Sequence, residues 1–529
     1  MTTSMPRSEA RDHAVAIPEG VLTHRNYTKR RVFHADVVVV GTGAGGAAAG
    51  AELAEAGHDV LFVEEGSYIP HSSFNPHLER SMPRLYRDSG TTMVFGNPTI
   101  PFVEGRCVGG STTINGGMTW RPPERILDHW ERASGDHSLG VRGMDPLFQR
   151  VEQRISANTQ PSYSVGPDNA VMARGARALG WDYQENIRNQ DRCVGTNNCG
   201  FGCPTGAKQS TLKSYMPAAM KAGARCLTEV RVEQLIIEGG RCVGVKGRTY
   251  DPLTRTPSHP VEVRGRAVII ACGAIQTPYL LLRHRLARRS KQLGRNLLLH
   301  PNVKVTGLFP FDIGGWKGVS QGGQVRQFHE DGIVLAENFI PPGAMGTHLP
   351  YHGQRAWELM QRYPQMVVGG ALVEDSTSGR VIRGPWNMPL AFYQVTRHDH
   401  ARFKRGARLL AELFFAVGAD AVLLPFSNAH IAHSMDEVDR ILAQQKRRKS
   451  LELFTVHLMG TSRMGSRPER SVIDLDGQMW DLPGCYVADA SVFPTAIGVN
   501  PQLTIMAMAT RIALRLDERL GKPLRAAVA

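Results

Sequence analysis

Residues 35–66 read ADVVVVGTGAGGAAAGAELAEAGHDVLFVEEG, and this stretch decides the fold. Residues 37–40 are an unbroken β-branched run, the pattern of a parallel strand covered on both faces. A glycine turn follows, then an Ala- and Leu-rich segment that reads as a helix. Gly57 stops that helix, and residues 60–63 read as a second strand. Gly41, Gly43 and Gly46 have the GxGxxG spacing. The first permits a tight turn, the second lets a pyrophosphate approach the backbone, and the third allows helix and strand to pack closely. Such a turn aims the free N–H groups of a helix end at phosphate. Glu64 closes the second strand, where a carboxylate can accept from ribose hydroxyls. The stretch therefore predicts dinucleotide binding.

Three distant segments look like parts of the same site. They are GRCVGGSTTINGGMTWRP (residues 105–122), AVIIACGAIQTPYLLL (residues 267–282), and a C-terminal block with HLMGTSRMG (residues 457–465) and GCYVADASVFPTAIGVNPQLTIMAMA (residues 484–509). The first has too many glycines for an ordinary helix, and the second reads as buried strand, glycine turn and helix. Together, and in this order, they resemble the glucose–methanol–choline (GMC) oxidoreductases, with the two family signatures at residues 105–115 and 273–282.

The resemblance implies FAD as the cofactor and removal of hydride from an alcohol carbon. It implies that Glu64 holds the adenosine ribose, that Val232 meets adenine through its backbone, and that Asp489 lies near the pyrophosphate and ribityl chain. Arg106, Gly110, Asn115, Gly116 and Pro501 are cofactor positions by the same resemblance. Relatives that bind FAD covalently can carry a histidine just before the signature asparagine. That position is Ile114 here, so non-covalent FAD is expected. His457 matches the family's active-site histidine and Asn500 its partner position. His300, in GRNLLLHP, is a weaker candidate for the base. Asn500 and Pro501 precede the apolar run QLTIMAMATRIALRL, so Asn500 reads as N-cap and Pro501 as the first helical residue.

The expected architecture is α/β: a discontinuous Rossmann-like FAD-binding domain (residues 35–124, 204–304 and 455–520) and a substrate domain (residues 125–203 and 305–454). Residues 1–34 form an N-terminal extension. The second insert carries candidate strands at residues 366–375 (MVVGGALVED), in GRVIRG, and at residues 390–396 (LAFYQVT). A helix, RFKRGARLLAELFFAVGA, follows them. That pattern suggests an antiparallel sheet with helices, roofing the site.

At 42% hydrophobic and 21% charged residues, a chain of 529 residues has ample core and is not wholly disordered. Its 62 Lys and Arg against 48 Asp and Glu give a formal charge of +14. No nucleic-acid-binding fold surrounds the basic segments at residues 283–291 and 446–449. They read as solvated faces, with peripheral membrane contact as the second reading. The N-terminal segment lacks the apolar core of a signal peptide, and no apolar run spans a bilayer. A soluble, cytoplasmic protein is expected.

Cys193, Cys199 and Cys203 lie in DRCVGTNNCGFGCPTG. Similar segments in flavin glucose dehydrogenases hold an iron–sulfur cluster behind two adjacent cysteines. Val194 occupies the second of those positions here, so a structural loop is expected and no metal. The expected reaction is oxidation of an apolar, long-chain or alicyclic alcohol, with oxygen or a quinone accepting the electrons. Two alternatives are a non-redox lyase on the same scaffold and oxidation of a sugar or amino-sugar hydroxyl, for which Glu374 and Asp375 would supply carboxylates.

Overall fold

The computed structural model describes residues 17–349, 351–428 and 431–521. The first 16 residues of the expected extension lie outside that description. Three main sheets organise the rest.

The first grows around Arg31–Val40, whose residues 37–40 are almost wholly buried. It pairs in parallel with Val60–Val63 on one side and Pro257–Ile270 on the other. Arg225–Leu227 and Val21–Leu22 extend the first edge, also in parallel. Pro257–Ile270 is long enough to be shared. Its first half joins the antiparallel hairpin Val230–Glu238/Arg241–Tyr250, and its last three residues pair with Cys485–Val487. Helix Ala44–Glu55, nearly all Ala and Gly on its buried faces, packs closely against Gln502–Leu520 and Tyr215–Lys221. Small side chains allow that approach.

The second sheet has seven strands, all antiparallel, in the order Ile431–Ala432, Ala421–Leu423, Asn302–Leu308, Met366–Val373, Ile333–Glu337, Gly323–Val325, Tyr183–Glu185. Helix Arg397–Phe415 covers one face, with Phe414 against Gly307 and Leu410 against Gly369. Thr396 caps it by accepting from the Asp399 N–H. The opposite face carries Asn302 and Lys304, paired in register with Leu372 and Gly370. Residues bordering the sheet meet the glycine-rich segments before and after it in sequence: Gln321 abuts Gly116, and Glu374 abuts Gly498.

The sequence reading put GRVIR and LAFYQ in one roofing sheet with MVVGGALV. The structure corrects this. Gly379–Arg383 and Pro389–Gln394 form a separate five-stranded sheet with Arg295–Leu297, Thr92–Asn97 and Ile100–Phe102. The chain leaves the roof because Asp375, just past Val373, is fastened to the backbone N–H groups of Leu299 and His300. Phe392 therefore packs beside Phe95, away from the roof.

Candidate active site

A cleft enclosing about 1310 Å³ of empty space runs along the C-terminal ends of the parallel strands. Its floor is the turn of residues 40–45, and Glu64, Gly110, Val232, Asp489 and Pro501 also line it. The glycines differ in what surrounds them. A Cβ on Gly41 would sit 2.4 Å from the Ala271 carbonyl, and one on Gly45 would sit 1.8 Å from that of Ala488. A Cβ on Gly43 would meet nothing within 4 Å. The turn is closed on the protein side and open only where it faces the cleft. Gly43 also starts helix Ala44–Glu55 without a side-chain cap, which leaves amide donors at the helix end for an anionic ligand. Such a cradle fits a dinucleotide pyrophosphate.

Both oxygens of Glu64 are engaged. Oε2 accepts from the Thr42 N–H (2.9 Å) and hydroxyl (2.7 Å), and Oε1 from the Gly66 N–H (2.8 Å). Burial pushes its carboxyl above the ordinary value. Glu65 lines the same cleft, paired with Arg87 at 3.0 Å. Asp489 accepts from the Gly273 N–H (2.9 Å), the Thr277 hydroxyl (2.5 Å) and the Ser491 N–H (2.8 Å). It ties the second glycine turn to the C-terminal block.

Four sequence-predicted positions serve the wall of the cleft more than its lumen. Arg106 is buried with its guanidinium over the Tyr250 ring. Asn115 donates to the Gln502 side chain and accepts from the Gly117 N–H, which fixes the loop of residues 115–117. Gly116 has no room for a side chain beside Gln321. Ile114 is buried and apolar.

Sequence reasoning missed Lys208. Its Nζ is buried and donates to the carbonyls of Thr113 (2.8 Å), Asn115 (2.8 Å) and Cys199 (2.7 Å). Desolvation lowers its pKa to about 8. Arg188 donates to the Gly116 carbonyl (2.5 Å) and the Cys199 sulfur (3.3 Å). The cysteine segment thus lies behind the loop carrying Asn115. All eight cysteines are free thiols.

His457 and Asn500 come together, with Asn500 Nδ2 3.2 Å from His457 Nε2. The other ring nitrogen, Nδ1, is 3.0 Å from His300 Nδ1, and the two rings stack at 5.1 Å. Neighbours Val456 and Leu458 line the cleft, as does Pro501, so the pair stands at its end. Burial and His300 hold His457 well below the usual imidazole range, and burial brings His300 to about 4. Both rings are neutral near pH 7. The predicted capping role of Asn500 is corrected: the helix is Gln502–Leu520, Pro501 precedes it, and the Asn500 amide turns to His457 instead.

The GMC oxidoreductase family's N-terminal and C-terminal profiles match residues 82–302 and 377–509, and an FAD binding domain profile matches residues 36–74. The chain belongs to the GMC oxidoreductase family. An uncharacterized GMC-type oxidoreductase of Mycobacterium tuberculosis is 34% identical over 97% of this chain and 80% of its own length. A long-chain-alcohol oxidase of Arabidopsis thaliana is 29% identical, over 92% of this chain and 67% of its own. Pyridoxine 4-oxidase from Mesorbium loti shares the fold, with a TM-score of 0.70 at 18% identity, covering 91% of this chain and 99% of that one. This GMC oxidoreductase is an FAD-dependent enzyme acting on CH–OH donors. Among the described residues no helix is long and apolar enough to cross a membrane.

Proposed function

We propose that this GMC oxidoreductase oxidises an apolar, long-chain or alicyclic alcohol to its aldehyde or ketone, with His457 as the base and Asn500 orienting the hydroxyl. The observation that carries the reading is the His457–Asn500 pair at the end of the cleft. When bound, FAD supplies the acceptor for the hydride. His457 meets the substrate neutral and takes the hydroxyl proton on Nε2, where the hydroxyl displaces the Asn500 amide. A weakly basic ring suffices. As hydride leaves the carbinol carbon, the hydroxyl becomes that of a protonated carbonyl, a strong acid. The Asn500 amide supplies a neutral hydrogen-bonding group beside the base.

Gly41, Gly43, Gly46 and the helix they open would hold the pyrophosphate. Glu64 and Val232 would hold the adenosine half. Asp489 and Pro501 would border the chain leading to the flavin, and Gly110, Asn115 and Gly116 the ring, with Arg106 bracing that wall. With Ile114 before Asn115, the attachment would be non-covalent.

Two observations favour an apolar substrate over an amino-sugar. At one end of the roof, Leu308, Met366 and Val368 form a buried apolar cluster with Ile340 and Met345. A small cavity lined by Trp316, Ile340, Met345 and Met366, with Asp168 and Tyr363 also on its wall, opens beside Asn338, which lies 3.5 Å from Gln321, the residue abutting Gly116. Glu374 and Asp375, the two carboxylates an amino-sugar reading would use, are already committed: Glu374 pairs with Arg125 at 2.7 Å, and Asp375 is tied to backbone N–H groups. The electrons then pass to oxygen or a quinone.

Anaerobic mixing with alcohols, followed by flavin absorbance, tests the reaction. Bleaching by decanol or cyclohexanol is expected, and none by any alcohol would refute it. His457→Ala should slow that bleaching by about 10²–10⁴-fold while FAD stays bound; near-normal bleaching would move the base elsewhere.

A further inference from the structure

His300 stands in an unusual backbone conformation. Its φ is +45°, a region that costs a side-chain-bearing residue energy and persists only when its surroundings enforce it. The enforcing group is visible. Asp375 Oδ2 accepts from the His300 N–H at 2.7 Å, and Oδ1 accepts from the Leu299 N–H at 3.1 Å and the Tyr393 hydroxyl at 2.8 Å. Asp375 comes from the end of a roof strand and Tyr393 from the neighbouring sheet, so two elements converge on this one bend. Its result is to place His300 Nδ1 3.0 Å from His457 Nδ1.

Two neutral imidazoles that share a hydrogen bond cannot both donate. Asn500 settles which one does. Its Nδ2 is a donor and lies 3.2 Å from His457 Nε2, so Nε2 must present a lone pair. The His457 proton is then on Nδ1, and His300 Nδ1 must accept it. The alternative arrangement, with His300 donating, would put the His457 proton on Nε2, against an N–H of Asn500, and leave no lone pair on the nitrogen beside Asn500.

We propose that His300 and Asp375 are positioning residues: Asp375 holds the strained His300 backbone, and His300 Nδ1 accepts from His457 Nδ1, so that the base always carries its lone pair on Nε2. The inference rests on the reading of His457 as base. Glu374 and Arg402 are the charged groups that act on the His300 ring, with opposite signs.

The first test reads the tautomer directly. In holoenzyme labelled with ¹⁵N-histidine, His457 is assigned by difference from His457→Asn. Wild-type protein should show Nδ1 protonated and Nε2 bare; a proton on Nε2 overturns the proposal, whatever the activity. The second test uses two substitutions at 300. His300→Leu removes the acceptor and should slow anaerobic flavin reduction by about 10–100-fold, with KM changed no more than about threefold. His300→Asn keeps an acceptor oxygen near the Nδ1 position and tolerates positive φ, so it should recover most of that rate. Equal losses in the two variants would overturn the proposal, as would no loss in either. Should the leucine variant not fold, the asparagine variant and the wild-type spectrum still decide. Failure of the base assignment is separately visible as normal reduction in His457→Ala.

Discussion

The amide Nδ2 of Asn500 lies 3.2 Å from Nε2 of His457, across 43 residues of chain. That contact joins the loop after the roof, where residue 455 bridges to Phe102, to the start of the last long helix. An asparagine just before a helix ordinarily turns its side chain onto the helix's own N–H groups. Here the tertiary partner wins, and the helix begins without a side-chain cap. Loss of a cap costs roughly 1 kcal/mol. The Asn500 side chain is spent on the contact with His457 instead.

The glycine floor should respond to substitution in two distinct ways. Gly45→Ala puts a Cβ within 1.8 Å of the Ala488 carbonyl and should destabilise the whole protein, read as a fall in the melting temperature of apo and holo forms alike. Gly43→Ala places a Cβ with no protein atom within 4 Å, so the fold should persist. Its side chain would project into the cleft, and FAD should dissociate more readily, measured as flavin lost on gel filtration. Equal thermal losses for the two variants would refute this reading of the turn.

Lys208→Met should unseat the loop of residues 113–117. Removing Nζ leaves three carbonyls without their donor, two of them on that loop. Orphaned buried acceptors cost about 1–3 kcal/mol each, part of which water or relaxation recovers, so a net loss of about 3 kcal/mol is expected. Weaker FAD retention should accompany it. A variant with unchanged denaturation midpoint and flavin content would show that the lysine is dispensable.

Legibility followed sequence distance. Gly41, Gly43 and Gly46 announced themselves because their constraint is local: strand, turn and helix are adjacent in sequence. Lys208 gave no signal, since its three acceptors come from residues 9 to 95 positions away in fragments that look like ordinary loops. Val194, weighed for what it could not ligate, is simply exposed. Phe392 was assigned to the roof by periodicity, which marks a strand but not its partners. Asp375 decided that instead, by anchoring to Leu299 and His300. His457 and Asn500 were found by motif; what holds them, His300 and Asp375, is visible only in three dimensions.

The neutral, buried His300 sets a sign for stability against pH. Its pKa is lowered to about 4 in the folded protein, against about 6.5 when unfolded. Between those values the unfolded chain binds the extra proton. The residue therefore costs nothing above pH 6.5 and destabilises increasingly as the pH falls towards 4. From pH 7 to 4.5 this amounts to about 2–3 kcal/mol. Asp375, raised to about 6 by burial, works in the opposite direction but is common to both proteins compared. His300→Asn should accordingly lose less unfolding free energy than wild type between pH 7 and 4.5, in urea titrations at each pH. Parallel losses would show that His300 is not held neutral.

Substrate choice provides the last prediction. Met366 and Val368 lie buried among Leu308, Ile340 and Met345, and the cavity beside Asn338 is walled by Trp316, Ile340 and Met345 together with Asp168 and Tyr363. Each CH₂ moved from water into such surroundings gains about 0.8 kcal/mol, or about fourfold in binding. The gain applies to substrate and transition state alike, so it should appear in kcat/KM through KM. Across a series from butanol to decanol, kcat/KM should climb by up to about fourfold per carbon and then level once the chain outgrows the cavity. Glucose and choline should be poor, because Glu374 and Asp375 are already bonded to Arg125 and to backbone N–H groups. A flat series, or a preference for sugars or amino-sugars, would sink the apolar reading while leaving the His457 base to be judged by its own variant.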